Sequence, residues 1–487
     1  MITIQLNKRD FEYDTHSLVK AFFPEEEVSV IYEGEPEKEK SHLKISIFYG
    51  ENGIRIRFSD GEGQLLREET EEVVYEENRK ETKNHLKYRL YKMLQSHTGV
   101  SLPWGTLTGI RPTKIPMAML EEGKTNREIA EYMRETYLTS PEKTALGISI
   151  ANRERKILQN IDYQDGYSLY VGIPFCPSIC LYCSFSSSPI GLWKDRVEDY
   201  LQALGKEICF GAEAYRDKKM DTLYIGGGTP TTLSPEQLDW LLGELEQRFD
   251  LGSLKEFTVE AGRPDSITRE KLQVIRKHPV TRISINPQTM NQKTLDLIGR
   301  KHTVEDTKEA FFLARELGFD NINMDLIVGL PGEGEEEVRH TLKEVTALAP
   351  DSLTVHSLAV KRAARLRLFK DEHKELSFIN NTDIMNLTER FAMEAGLYPY
   401  YLYRQKNMAG NLENVGYAKP GKEGIYNILI MEEKQSILAL GAGASTKVVA
   451  ASDRIDRIEN VKDIKNYIER IDEMIERKRQ GFLKYGK

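Results

Sequence analysis

The segment Tyr170-Val171-Gly172-Ile173-Pro174-Phe175-Cys176-Pro177-Ser178-Ile179-Cys180-Leu181-Tyr182-Cys183 holds three of the chain's four cysteines within eight residues, directly after a short apolar run. The spacing is C-x3-C-x2-C. A loop this tight can aim three thiolates at one metal cluster. Three thiolates hold three irons of a four-iron cluster and leave the fourth open, much as an open position marks a catalytic zinc site. A structural zinc site wants four ligands, and no nearby Cys or His completes one. A disulfide is out of place in a reducing cytosol. Three unrelated cysteines after one strand would be a coincidence, so spacing and context together favour the cluster. The fourth cysteine, Cys209, falls in a helical pattern and reads as a buried small hydrophobe.

Around this loop, apolar runs rich in β-branched residues alternate with amphipathic stretches. Strands are expected at Leu169 to Ile173, Thr222 to Ile225, Phe257 to Glu260, Ile283 to Ile285, Ile322 to Val328 and Leu353 to His356. Helices are expected at Asp195 to Tyr215, Pro235 to Phe249, Thr268 to Lys277, Val304 to Leu317 and Glu335 to Leu348. This alternation implies an α/β fold with a parallel sheet. Six strands are too few for a closed eight-stranded barrel but suit an open partial barrel. Barrel chemistry sits at the C-terminal strand ends. There Gly226, Gly227 and Gly228 let backbone approach a ligand closely, or form a tight turn after the strand.

The flanks differ. Residues 1–100 read as a small α+β domain, with strands at Ile2 to Leu6, Val28 to Tyr32, His42 to Tyr49 and Gly53 to Phe58. Glu51-Asn52-Gly53 is the hairpin signal, and a charged helix runs from Glu76 to Gln95. The loop Leu102 to Lys114 follows, where Arg111 and Lys114 either bind an anion or dock domains; docking is preferred. Helical periodicity from Asn126 to Leu158 makes residues 101–165 a helical connector. Residues 166–360 form the partial barrel. Residues 361–487 form a mixed C-terminal, substrate-covering domain, closed by a helix that Asn460 caps and that ends in a solvated Lys/Arg-rich turn.

The 487 residues suggest several domains, and 40% hydrophobic with 30% charged residues suit an ordinary folded globule. A net charge of -8, from 68 Lys plus Arg against 76 Asp plus Glu, argues against coating nucleic acid. No apolar run reaches the roughly 18 to 20 residues of a membrane span, and the first residues lack a signal-peptide layout. A cytoplasmic location is expected.

The cysteine loop at the end of a first barrel strand resembles the radical S-adenosylmethionine (SAM) enzymes. Tyr224-Ile225-Gly226-Gly227-Gly228-Thr229-Pro230-Thr231 resembles their glycine-rich SAM-binding turn. Val259-Glu260, Arg282-Ile283-Ser284 with Gln288, Gly299-Arg300, Asp325 to Gly332 and Leu440 to Ser445 follow in the order of the oxygen-independent coproporphyrinogen III dehydrogenase (oxidase) family. Length and the extra N-terminal domain resemble its HemZ-type branch. The resemblance implies a partial (β/α)6 radical SAM barrel, a [4Fe–4S] cluster on Cys176, Cys180 and Cys183, and SAM, with two per chain if all the family roles carry over. Tyr170, Gly227 and Glu260 then resemble contacts to the cluster-bound SAM. Tyr182, Gly228, Thr229, Gln288, Arg300 and Asp325 resemble contacts to a second SAM. Glu260 also reads as a helix cap or ion-pair partner, and Asp325 as a structural partner at a strand end.

The implied reaction is oxidative decarboxylation of two propionates of coproporphyrinogen III. It starts from reductive SAM cleavage and hydrogen abstraction by the 5′-deoxyadenosyl radical. It needs a tetrapyrrole substrate and a low-potential donor such as flavodoxin or ferredoxin. Lys361, Arg362 and Arg365 are propionate candidates or a solvated basic run; Arg404 and Lys406 are weaker ones. Two departures leave the three thiols intact: the family's Tyr-x-His before the loop is Tyr170-Val171-Gly172, and the place of a further cysteine is Phe185. Related haem chaperones carry His-Asn-x-x-Tyr-Trp. The matching place is Tyr426-Asn427-Ile428-Leu429-Ile430-Met431, which counts against chaperoning by that route. Radical SAM chemistry on another tetrapyrrole is the third reading.

Overall fold

The computed structural model describes residues 1–36, 40–50, 53–72, 78–109, 111–163, 165–359, 366, 378–404, 412–450 and 454–484. They form two compact units: Met1–Asn152 with Tyr403–Glu413, and Arg153–Leu402 with Asn414–Lys487.

The first unit carries five strands: β1 (Ile2–Leu6), β2 (Val28–Tyr32), β3 (Leu43–Gly50), β4 (Gly53–Asp60) and β5 (Leu65–Glu71), in the order β2-β1-β3-β4-β5. Ile2, Ile4, Leu6, Ile45, Ile47, Ile54, Ile56 and Phe58 point into one core against Leu86, Leu90 and Leu94 of the helix Arg79–Thr98. β5 and the helix Glu12–Phe22 were not expected. β5 is LLREETE, a mostly exposed edge strand with no buried face to give an alternation. The expected helical stretch 126–158 is two helices, Asn126–Tyr137 and Pro141–Leu158, because Leu138 turns left-handed at φ 56°. Another helix, Lys114–Glu121, begins where the predicted loop ends.

The second unit is built on an eleven-stranded sheet. Its strands are β6 (Gly166–Ile173), β9 (Lys219–Gly227), β10 (Glu256–Gly262), β11 (Arg282–Ile285), β12 (Ile322–Val328), β13 (Ser352–Ser357), β14 (Tyr398–Tyr403), β15 (Asn414–Ala418), β16 (Ser436–Leu440), β17 (Ser445–Val449) and β18 (Ile455–Glu459). The short strands β7 (Phe175–Cys176) and β8 (Ser188–Pro189) pair separately. The order is β14-β15-β13-β12-β11-β10-β9-β6-β16-β17-β18. All six predicted barrel strands are present and parallel, and β16 adds a further parallel strand beside β6. Residues such as Leu169, Val171, Leu223, Ile225, Val259 and Ile283 are fully or nearly fully buried, as a parallel sheet covered on both faces requires.

The C-terminal helix corrects two expectations. It is split into Ile464–Glu469 and Ile471–Leu483, and Asp463, not Asn460, caps its start by accepting from the Asn466 N–H at 2.8 Å. Asn460 instead lies in a buried polar network around Glu207. The Glu207 carboxylate accepts from Asn460 Nδ2 (2.8 Å), Lys478 Nζ (2.7 Å), the Gly441 N–H (2.8 Å) and Tyr467 Oη (2.6 Å). Lys478, from the turn expected to be solvated, is fully buried. Cys209 is likewise corrected: it is exposed on the helix Val197–Ala214.

Removing one partner of a fully buried pair leaves an uncompensated charge, at a cost of about 3–5 kcal/mol. Lys478→Met is therefore expected to lower the free energy of unfolding by that much. A loss under about 1 kcal/mol in chemical denaturation, the size of an exposed pair, would show that Glu207 is not held this way.

Candidate active site at the strand ends

The cysteine loop leaves β6 at Ile173 and is pinned along its length by backbone hydrogen bonds. The Gly228 N–H donates to Ile173 O and the Thr229 N–H to Phe175 O, both at 2.7 Å. The Leu181 N–H reaches Ile298 O at 3.0 Å, and the Ser188 N–H reaches Pro174 O at 2.8 Å. Cys180 is buried; Cys176 and Cys183 are half-buried. Burial pushes the Cys176 and Cys183 thiols up from their ordinary value, and iron coordination is what removes a proton from such a thiol. No three His, Cys, Asp or Glu side chains among the described residues are placed to hold a single metal ion.

Strand register assembles the rest. Gly172 is level with Gly226, Glu260 with Ser284, Ser284 with Asn323, and Asn323 with Ser352. Alternation along parallel strands turns residues of one level the same way. The Tyr224 hydroxyl donates to Glu260 Oε1. Burial raises the Glu260 carboxyl to about 7, against the Tyr224 hydrogen bond and with help from the Asp325 charge. Asp325 goes the other way. Burial raises it, but the His356 and Asn323 interactions outweigh that and hold it below the usual carboxylate range. Asn323 Nδ2 donates to Asp325 Oδ1 at 2.7 Å, and His356 Nε2 lies 3.9 Å from Oδ2. Arg300 is buried, donating to Asn286 O at 2.5 Å and to Tyr182 Oη at 3.2 Å. Gln288 is held at φ 69°, a left-handed conformation costly for a side chain with a Cβ.

Four buried atoms here have no hydrogen-bond partner among the described residues: Ser284 Oγ, Asn286 Oδ1, Gln288 Oε1 and Arg300 Nε. Buried polar atoms are nearly always satisfied, so this set is what a polar ligand would complete. Gly227, at φ 109°, is exposed beside Tyr170. Gly228 has a different constraint: a Cβ there would meet Phe175 O at 2.4 Å and Cys176 Sγ at 3.0 Å. Thr229 Oγ1 lies 3.6 Å from Cys176 Sγ.

The structure thus brings together the three cysteines, Tyr170, Tyr182, Gly227, Gly228, Thr229, Glu260, Gln288, Arg300 and Asp325. Arg404 belongs to the first unit, where it is buried and donates to Leu107 O at 2.6 Å. Lys361, Arg362, Arg365 and Lys406 lie outside the described residues. Sequence reasoning missed Asn323, His356 and Tyr426. Tyr426 stacks on Tyr224 with ring centroids 4.6 Å apart, and Tyr170 stacks 6.3 Å from both. Glu256 fixes the helix Ile425–Glu432 that carries Tyr426, accepting from the Ile425 and Tyr426 N–H groups at the helix start.

The cysteine loop and parallel strand ends define a radical SAM protein, and the radical SAM superfamily matches residues 170–345. Coproporphyrinogen III oxidase (HemN) from Escherichia coli, a radical SAM enzyme of solved structure, superposes with a TM-score of 0.52 at 25% identity. The match covers 66% of this chain and 73% of that one. The oxygen-independent coproporphyrinogen-III oxidase-like protein HemZ of Bacillus subtilis (strain 168) is 44% identical over 81% of this chain and 80% of its own. The heme chaperone HemW of the same organism is 33% identical over 63% of this chain and 76% of its own. The chain belongs to the oxygen-independent coproporphyrinogen III oxidase-like radical SAM family, in its HemZ branch. Radical SAM proteins use a [4Fe–4S] cluster and SAM, and the residues assembled here fit both. No helix among the described residues is long and apolar enough to cross a membrane.

Gly228→Ala forces the Phe175 backbone away from the glycine turn, an overpacking expected to cost about 1–3 kcal/mol. It should lower iron per chain after anaerobic reconstitution. Gly243→Ala, with nothing within 4 Å of its Cβ, should not. Equal iron in the two variants would refute the clash.

Proposed function

We propose that the chain oxidatively decarboxylates two propionates of coproporphyrinogen III to vinyl groups, giving protoporphyrinogen IX without oxygen. In each conversion carbon dioxide leaves, one hydrogen atom passes to the SAM-derived 5′-deoxyadenosyl radical, and one electron passes to an external one-electron acceptor. Cys176, Cys180 and Cys183 hold the cluster. When bound, the cluster and SAM would supply the hydrogen abstraction, and a low-potential protein such as flavodoxin or ferredoxin would supply the electron that reduces the cluster. Tyr170, Gly227 and Glu260 hold the cluster-bound SAM; Tyr182, Gly228, Thr229, Gln288, Arg300 and Asp325 hold a second.

The observation that carries this reading is the pair of carboxyls at one sheet end whose surroundings push their pKa values apart, Asp325 downward and Glu260 upward. Ionised Asp325 and cationic Arg300 match the ammonium, hydroxyls and carboxylate of a SAM molecule by charge-assisted hydrogen bonds. Glu260, near neutrality, changes form within the working pH range. The identity to HemZ supports the oxidase reading. The identity to HemW supports a haem chaperone, but residues 424–433 around Tyr426 contain no His to ligate haem iron. Anaerobic reconstitution with reductant and SAM decides between them. Coproporphyrinogen III should raise the yield of 5′-deoxyadenosine and be converted. Tight stoichiometric haem binding with no substrate-linked turnover favours the chaperone.

Asp325→Ala and Arg300→Ala should keep four-iron absorbance, lose turnover and weaken the second SAM site. The weakening should be roughly ten- to a hundredfold, about 1.5–3 kcal/mol for a hydrogen bond to a charged group. Two SAM molecules bound normally, with substrate still converted, would show these roles to be wrong. Cys180→Ala should abolish four-iron absorbance, while Cys209→Ala should not.

Only the ionised Glu260 carboxylate makes a charge-assisted hydrogen bond to a SAM ammonium or hydroxyl, and it takes a proton below about pH 7. SAM affinity should therefore fall about tenfold for each pH unit below that point. Glu260→Gln cannot titrate and should bind weakly with no such slope. A flat wild-type profile from pH 5 to 8 in equilibrium binding contradicts the assignment.

A further inference from the structure

Arg263 lies just past the end of β10, at a place where the Gly262-Arg263-Pro264 turn reads as ordinary strand punctuation. Strand register shifts between Glu260 and Gly262, and Gly262 turns at φ 69° with its Cβ position 3.1 Å from Thr229 Cγ2. That turn sends the Arg263 side chain under the cysteine loop, where it is almost fully buried. Its Nη1 donates to Ser178 O at 3.0 Å and Ser178 Oγ at 2.9 Å, and it lies 3.7 Å from Cys180 Sγ. The other side of the guanidinium is clamped by Asp265: Nε to Oδ1 at 2.9 Å and Nη2 to Oδ2 at 2.6 Å. A bidentate carboxylate fixes the plane of a guanidinium and so the direction of its remaining N–H groups. Here they point at one cysteine sulfur and the residue two before it.

We propose that Arg263, held by Asp265, is a positioning residue that donates an N–H to the Cys180 sulfur and thereby sets the reduction potential of the cluster. The inference rests on the three-cysteine ligand set proposed above. Hydrogen bonds and positive charge at the sulfurs favour the reduced, more negative cluster and raise its potential. Asp265 partly offsets the Arg263 charge, so the pair tunes the potential in two opposed directions. His302, buried within electrostatic reach of Arg263 and Arg300, contributes no charge of its own, because burial and the Arg300 charge push its pKa down to about 4.

The test is an anaerobic redox titration of reconstituted full-length protein, followed by the electron paramagnetic resonance signal of the reduced cluster. Iron per chain is measured alongside. Arg263→Gln should lower the midpoint potential and Asp265→Asn should raise it. At the wild-type midpoint each should change the reduced-to-oxidised ratio by about tenfold, which is about 59 mV for one electron. Arg263→Lys keeps the charge but loses the fork and should fall between wild type and Arg263→Gln. Potentials that do not move, or that move the same way in Arg263→Gln and Asp265→Asn, overturn the proposal. If Arg263→Gln holds no cluster, Asp265→Asn decides alone, since it keeps Arg263 and must still shift upward. A wild-type protein that takes up no four-iron cluster instead refutes the ligand set, a separate failure.

Discussion

The Gly172 carbonyl ends the first barrel strand and accepts the Tyr200 hydroxyl at 2.7 Å, while the Ala442 N–H donates to that same hydroxyl at 3.1 Å. Gly441 backs onto this point so closely that a Cβ would sit 2.5 Å from Gly172 O. Its own N–H ends on Glu207, whose other partners come from Asn460, Tyr467 and Lys478. A buried strand end must place its polar groups somewhere. Here they are passed from β6 to the helix Val197–Ala214 and on to the C-terminal helices. The direction in which the chain leaves β6, and so where three cysteines can point, depends on that relay. The late glycine block thus acts on the cysteine loop from 260 residues further along the chain.

The same economy governs charge. Glu260 and Asp325 are both carboxyls at the ends of nearby strands, and burial opposes ionisation of each. What separates them is their company. Asp325 has Asn323 and His356 against it, which keep it ionised. Glu260 has the Tyr224 hydroxyl, a weaker compensation, and feels the Asp325 charge as well. Environments that push two like groups apart give one fold two distinct proton inventories. A site built this way can present a fixed anion to one ligand and a titrating one to another.

The barrel was legible because parallel strands buried on both faces write continuous apolar runs, and Ile322–Val328 and Glu335–Leu348 were read to the residue. The cysteine loop and the order of blocks after it located the candidate site. What the sequence hid has definite causes. The helix Glu12–Phe22 is preceded by Phe11, left-handed at φ 55° and without a side-chain cap, so the capping signal that marks a helix start is missing. The helix Gln292–Leu297 is only six residues long, too short to write a periodic pattern, and the Asn291 before it turns its side chain to Thr289, Glu333 and Thr341 rather than capping it. Lys478 looked solvated because its partner, Glu207, is 271 residues away. Arg263 sits in a Gly-Arg-Pro turn, and nothing local says that a guanidinium there reaches a sulfur across 83 residues of chain.

The two places where this chain parts from its family's histidines turn out to be one feature. Gly172 stands where the family pattern has His, and Tyr426 stands where the chaperone motif begins with His. A Cβ at Gly172 would lie 3.3 Å from Tyr170 Cε1, and one at Gly226 would lie 2.8 Å from Tyr224 Cε1. The Tyr170 and Tyr224 rings therefore lean into the space that two glycines leave. Tyr426 completes the stack from the helix that Glu256 anchors. A side chain at 172 would make the Tyr170 ring give way by a few tenths of an ångström, and a His at 426 would replace the third phenol ring of the stack with a smaller imidazole. Neither substitution could be made alone without disturbing the rings, because offset stacking depends on all the partners being in place. The departures are thus coupled through packing. They convert a face that could bind metal or protons through imidazole into an aromatic wall beside Glu260, which accepts a hydrogen bond from the Tyr224 phenol of that wall.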